Sequence, residues 1–375
     1  MKPIYLDYAS TTPVGKRALS VAAKYYSDVF YNPSSVHVLG QAASSAVERA
    51  RKKCADAING EPRGIYFTSG GTEAINTAIK CFPFGDKKRI VVSSIEHDAV
   101  ISCAEALKKC GIAVEYARPD RSGIITPSAL ERVMTDDTAL VCVMTVNNIV
   151  GTVQPIKELA EVAHKFGALF FTDAVQAVNG IKIDVKDSGA DMLCVSGHKF
   201  YAPKGVGFLY VKPSVRLSPL IEGGGQERRM RAGTVDVPSA VAMGEAITEA
   251  AGDTVGYNAH VKAVSEAFVN KLKYGDPVAY SSPRVPDILS VAFDGVNGSR
   301  LAVALSMAGV CCSVGSACSA GSEVPPATLT EMGIDNADCA VRFSFGRNLS
   351  VTRAIEAARI VNSVVKKLTE NKDKR

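Results

Sequence analysis

From about residue 40 to residue 211 the chain alternates amphipathic helical segments with short, unbroken apolar runs, and this rhythm limits its possible folds more than any other feature. "QAASSAVERARKKCADAI" spaces its apolar residues as a helix does, and "GIYFTS" after it reads as a buried strand. "KRIVVSS", "TALVCVMTV", "ALFFTDA", "DMLCVSG" and "GVGFLYV" are further strands, and "PIKELAEVAHKF" is a helix opened by Pro155. Apolar runs without polar alternation suit strands covered on both faces, so the expected fold is α/β, a mainly parallel sheet flanked by helices. Near residue 255 the pattern changes. A long helix, "NAHVKAVSEAFVNKLK", precedes strands "DILSVAFDG" and "CAVRFSFG" mixed with helices "SRLAVALSMAG" and "TRAIEAARIVNSVVKKL". The expected division is a large domain over 15–254 and a smaller α+β domain over 1–14 and 255–375, which suits 375 residues with 47% apolar content.

Charge and cysteine usage exclude several classes. The formal charge of +5 reflects 43 basic against 38 acidic residues, and the excess gathers partly in "KKLTENKDKR", so no nucleic-acid partner is expected. Ten cysteines are scattered without regular spacing, which argues for a reducing cytoplasm over a disulfide framework. The start "MKPIYLDYASTTP" lacks a signal-peptide apolar run, and no uncharged apolar stretch of 18 residues occurs, so no membrane association is expected. The glycine-rich "IEGGGQERRMRAGT", 221–234, reads as a long functional loop.

Three strand ends carry chemistry. Lys199 in "SGHKFYAPKG" follows a buried strand; alone it would pass for a solvated surface charge. Asp173 ends the apolar strand in "FFTDAVQA", with Gln176 three residues on, and a carboxylate there points into the crevice where α/β proteins bind ligands. In "YFTSGGTEA", Gly70, Gly71 and Thr72 lie between strand and helix, where free backbone amides can hold a phosphate. A lysine, an aspartate and a phosphate cradle on one sheet suggest pyridoxal 5'-phosphate.

"SGHKFYAPKG", "TDAVQ", "SSIEHDAV", "VNNIVGTVQPI", "MRAGT", "VGSACS" and "VRFSFGR", with the opening "YLDYASTTP" and "YNPSSVHVLG", resemble in order and spacing the cysteine desulfurases of the NifS/IscS type, within the class V aminotransferase family. The resemblance spans essentially the whole chain and implies the fold type I architecture of pyridoxal-phosphate enzymes. It implies that Lys199 holds the cofactor covalently and shuttles the Cα proton, that His97 stacks on the ring and serves as an acid or base, and that Cys318 is the nucleophile. It implies Asp173 at the pyridine nitrogen and Gln176 at the phenolic oxygen. Gly71, Thr72, Ser196 and His198 would hold the phosphate, joined by Thr234 from a neighbouring subunit, and hence a homodimer. Asn148 would stand near cofactor and substrate, while Arg342, with Asn32 near it, would bind the substrate carboxylate. The implied reaction turns L-cysteine into L-alanine and delivers the sulfur to an acceptor or iron-sulfur scaffold protein. A selenocysteine lyase, a class V aminotransferase and a catalytically silent scaffold are the alternatives.

"CCSVGSACSAGSEVPP" then makes sense as a tether, since small residues and glycines across 312–326 let Cys318 swing between cofactor and acceptor. No Lys, Arg or His flanks Cys318, and Glu323 disfavours a thiolate, so the resting thiol is expected to be protonated until it docks near His97. The spacing of Cys311, Cys312 and Cys318 fits no zinc pattern and no metal is expected. The other seven cysteines are expected to pack in helices and strands. Two departures from the family stand out. Asn147-Asn148-Ile149 replaces Asn-Asn-Glu, which would remove a carboxylate from the site's neighbourhood, and the extended tail by which some relatives engage a scaffold protein is not expected here.

Overall fold

The computed structural model describes residues 3–315 and 325–370. Its main sheet has seven strands in the order Ile65–Thr68, Gly207–Val211, Met192–Ser196, Leu169–Asp173, Thr138–Cys142, Arg89–Ser93 and Ala113–Ala117. All neighbours run parallel except Gly207–Val211, which is antiparallel to both strands beside it. The reversal has a local cause. After Ser196 the chain makes a short 3-10 turn over Gly197–Lys199 and passes through Tyr201 at φ 67 before returning alongside the strand it left. The strand Ala113–Ala117 was not anticipated, because "AVEYA" is short and places exposed and half-exposed residues on a sheet edge.

Successive residues on each strand face opposite layers, so adjacent apolar residues enter different cores. Phe171, Val92 and Met192 pack on the helices Gly71–Lys80 and Asp98–Lys109, whereas Phe170, Val91 and Val141 pack on Ile156–Lys165. Each such fully buried side chain contributes about 1.5–3 kcal/mol, which explains why these strands show no polar alternation. A third cluster joins Phe67, Val195 and Phe208 to the helices Val38–Ala57 and Val237–Gly252.

A separate three-stranded antiparallel sheet sets Ile288–Ala292 between Ala340–Ser344 and Asp276–Pro277. Helices Thr254–Val269, Gly298–Met307 and Val351–Glu370 cover it around Phe268, Phe293 and Phe343. The N-terminal strand Ile4–Tyr5 pairs in parallel with Val310–Cys311, which brings Ile4 and Leu6 into this second core. Cysteine placement is mixed: Cys54, Cys103, Cys142, Cys194 and Cys339 are buried, but Cys110 is exposed at the end of the Asp98–Lys109 helix, contrary to the packing role expected of it. No helix among the described residues is long and apolar enough to cross a membrane.

Candidate active site

The carboxyl ends of the parallel strands converge on an open cleft of about 220 Å³. Strand Ile65–Thr68 leads to Gly71 and Thr72, Arg89–Ser93 to His97, Thr138–Cys142 to Asn148, Leu169–Asp173 to Asp173 and Gln176, and Met192–Ser196 to Ser196, His198 and Lys199. Arg342 reaches the same cleft from the second sheet. Ten expected residues thus line one cavity: Gly71, Thr72, His97, Asn148, Asp173, Gln176, Ser196, His198, Lys199 and Arg342. Asn32 and Thr234 are not among them. Asn32 is exposed and accepts a hydrogen bond from the Ser34 amide, while the exposed Thr234 lines a smaller neighbouring cavity with Thr68, Ser69 and Arg231. Cys318 lies outside the described residues.

The Lys199 ammonium donates to the carbonyl oxygens of Ala9 at 2.6 Å and Ser10 at 2.9 Å. Gln176 Nε2 also donates to Ala9 O, at 2.9 Å. The N-terminal segment therefore forms one wall of the cleft and orients two cleft residues through its backbone. Nothing beyond the apolar-acidic "YLDYAS" announces this wall, because backbone acceptors leave no residue-type signature.

Asp173 is buried, and its Oδ1 accepts the Val175 amide at 2.8 Å. Burial raises its pKa, while His97 and Lys199 oppose that shift. His97 caps the Asp98–Lys109 helix, its Nδ1 accepting from the Ala99 amide at 3.1 Å. A neutral ring held this way carries its proton on Nε2. His198 is pushed down to about 4 by burial first, then by Lys199 and Lys204, so it is neutral at physiological pH. Glu96, which sequence reasoning passed over, is buried beneath the cleft and pushed up to about 8 by burial, with Oε1 accepting from Ser93 Oγ and the Met144 amide at 2.7 Å each.

The donors fit a phosphorylated pyridine cofactor. At the Gly70-Gly71 turn, Gly70 has φ 154, and a Cβ on Gly71 would meet Val175 Cγ2 at 3.0 Å, so backbone and cleft are close there as a phosphate cradle requires. Lys199 and the buried Asp173 face the same space. The loop expected at 221–234 secures this turn. Arg231 pairs with Glu73, whose Oε2 accepts the Ser69 amide at 2.8 Å. Glu227, at φ 44, forms a buried two-point pair with Arg51 and takes the Phe67 amide at 2.8 Å.

Arg342 is buried, and burial lowers its pKa. Nη1 donates to Asn148 O at 2.8 Å, and Nη2 donates to Asp7 Oδ1 at 3.0 Å and Ser10 Oγ at 2.8 Å. Ile149 does not line the cleft. It packs with Val278, Leu329 and Met332 in an apolar pocket.

The class V aminotransferase model matches residues 4–353. The "Putative cysteine desulfurase IscS 1" of Bacillus subtilis is 41% identical, the match covering 98% of this chain and 100% of that protein. "Cysteine desulfurase IscS" of Methanosarcina thermophila is 37% identical, over 98% and 93%. Among solved structures, a "NIFS-LIKE PROTEIN" superposes with a TM-score of 0.91 at 31% identity, covering 97% of this chain and 99% of that one. "SspA in complex with cysteine" gives 0.82 at 34% identity, over 91% and 98%. Fold, cleft and these likenesses agree, and the chain belongs to the class V aminotransferase family, among its pyridoxal-phosphate-dependent cysteine desulfurases of the NifS/IscS type.

Proposed function

We propose that the protein converts L-cysteine to L-alanine and moves the sulfur onto Cys318 as a persulfide. The observation that carries this reading is the convergence of Lys199, Asp173 and Arg342 on one cleft: an amine from the turn after one strand, a buried carboxylate at the end of the next, and a carboxylate-binding guanidinium from a strand of the second sheet. Pyridoxal phosphate supplies the electron sink that makes the Cα–H bond of a bound amino acid labile. The amides of Gly71 and Thr72, with Ser196 and His198, hold the phosphate end, and a neutral His198 does so as a hydrogen-bond donor. Asp173 and Gln176 orient the ring.

Arg342 takes the substrate carboxylate, which fixes the amino acid's Cα within reach of the Lys199 amine, and that amine moves the Cα proton. His97 Nε2 exchanges a proton with the substrate thiol or the incoming one. The Cys318 thiolate attacks the substrate sulfur, an S–S bond forms as C–S breaks, and the carbon takes up a proton to leave as alanine. Cysteine plus enzyme thiol thus yields alanine plus enzyme persulfide, with no outside oxidant. A reductant or an acceptor protein then removes the sulfur, and iron-sulfur assembly is the pathway this product suits. Thr234, exposed at the end of its loop, is proposed to reach the phosphate of a second subunit in a cytoplasmic homodimer.

The test is incubation of cofactor-loaded protein with L-cysteine and dithiothreitol, measuring alanine and sulfide together. Equal yields that disappear in Cys318→Ser support the reading. If neither product forms while a keto acid drives transamination, an aminotransferase is the better description.

A further inference from the structure

Arg342 has one ion-pair partner among the described residues, Asp7, and its hydrogens are unevenly committed. An Nη nitrogen carries two hydrogens. Those of Nη2 are both engaged, by Asp7 Oδ1 at 3.0 Å and Ser10 Oγ at 2.8 Å. Nη1 has one bond, to Asn148 O at 2.8 Å. Nε is buried and has no acceptor among the described residues. A carboxylate grips a guanidinium either side-on, through Nε and Nη2, or end-on, through Nη1 and Nη2, so each two-point geometry needs a hydrogen of Nη2. The bare fork therefore offers a ligand only part of its grip.

We infer that Asp7 is a positioning residue that occupies the Arg342 fork in place of the substrate carboxylate and must yield for tight binding, so that it sets the affinity for amino-acid substrates. The inference rests on the proposal that Arg342 receives that carboxylate. The geometry suits an exchange. Asp7 and a ligand carboxylate carry the same charge and compete for the same nitrogen. Asp7 keeps 20% of its side chain exposed while Arg342 keeps 2%, so the acid is the member able to withdraw. Ser10 both lines the cleft and binds Asp7 Oδ1 at 2.8 Å, which leaves the departing carboxylate a hydrogen-bond donor. Holding the fork in this way keeps a buried cation neutralised between turnovers, at the expense of affinity.

The experiment measures binding of L-alanine to cofactor-loaded protein by titration calorimetry, with cysteamine, which has no carboxylate, as the comparison. Asp7→Asn keeps an oxygen for Nη2 but removes the competing charge, and it should tighten L-alanine about tenfold while leaving cysteamine unchanged. Ser10→Ala frees one Nη2 hydrogen and should tighten L-alanine about threefold, and it carries the test alone if the asparagine variant fails to fold. Weaker or unchanged L-alanine binding in the folded variants would mean that Asp7 only braces Arg342, and would overturn the inference. A parent protein that yields no alanine from cysteine overturns the desulfurase reading and this inference together, whereas an active parent with unimproved variants overturns this inference alone.

Discussion

Lys199, Asp173, His97 and Thr72 each stand within four residues of the carboxyl end of a strand in one sheet, whereas Arg342 and Asp7 are 335 residues apart and meet where a second sheet touches the N-terminal segment. The first wall of the cleft is set by the topology of a parallel sheet, which delivers every strand end to the same edge. The second depends on pairings that close late along the chain, Ile4–Tyr5 on Val310–Cys311 and Asp7 beside Ser344. The contrast suggests a division of labour. The sheet wall faces the part of the site that stays loaded, and the composite wall faces the part that must receive and release a ligand at every turnover.

The largest expected effect tests the sheet wall. Lys199→Ala removes the only cleft side chain among the described residues suited both to hold the cofactor covalently and to move the Cα proton, so alanine production should fall about a thousandfold or more. The visible absorbance of the purified protein should fall with it. A variant that keeps either property would show that the sheet wall does not carry the chemistry, and the comparison would break at its first term.

A smaller effect of a different kind is expected at the other wall. Arg342→Lys keeps a positive charge but loses the planar fork, which costs about 3 kcal/mol at a two-point carboxylate site, or roughly a hundredfold in KM for L-cysteine. Cofactor absorbance should stay at the parent level. Loss of both together would mean that the walls are one unit, and loss of neither would remove Arg342 from the substrate's path.

The same contrast governs what could be read from the sequence. The α/β class, nearly every sheet strand and ten cleft residues followed from apolar runs, from strand-end chemistry and from a resemblance whose motifs fall on those ends. Strand-to-turn motifs are local, so the residue types and their spacing carry the geometry. The wall contributed by Ala9 and Ser10 was not legible, because it acts through carbonyl oxygens that any residue would offer. Asn32 does not line the cleft: "YNPSS" is a polar turn, and the Asn32 side chain accepts the Ser34 amide within it. Glu96 was passed over because one glutamate beside a histidine does not announce that a strand end will bury it.

Glu96 yields the smallest and most diagnostic expectation. A free glutamate titrates near 4.3, whereas burial pushes this one up to about 8, so between those values the folded protein keeps a proton that the unfolded chain has released. The carboxyl's contribution to stability is therefore fully present below pH 4.3 and is lost progressively as pH rises through 8. Glu96→Gln has a similar shape, keeps an oxygen for Ser93 Oγ and the Met144 amide, and cannot ionise. It should match the parent in urea unfolding near pH 4.5 and exceed it by on the order of 5 kcal/mol at pH 8. The difference between the two proteins is the quantity to follow, since the titrations of Asp173, Asp287 and His198 largely cancel from it. If the difference stays flat from pH 5 to 8, Glu96 is solvated or paired in solution, and the sheet wall is less rigid and less dry than its packing implies. If it grows as expected, the floor of the cleft is dry enough to hold a neutral acid close to Asp173. The sheet wall is then low in dielectric around Glu96, a desolvation it shares with the buried Arg342 of the other wall, where only Asp7 keeps partial access to water.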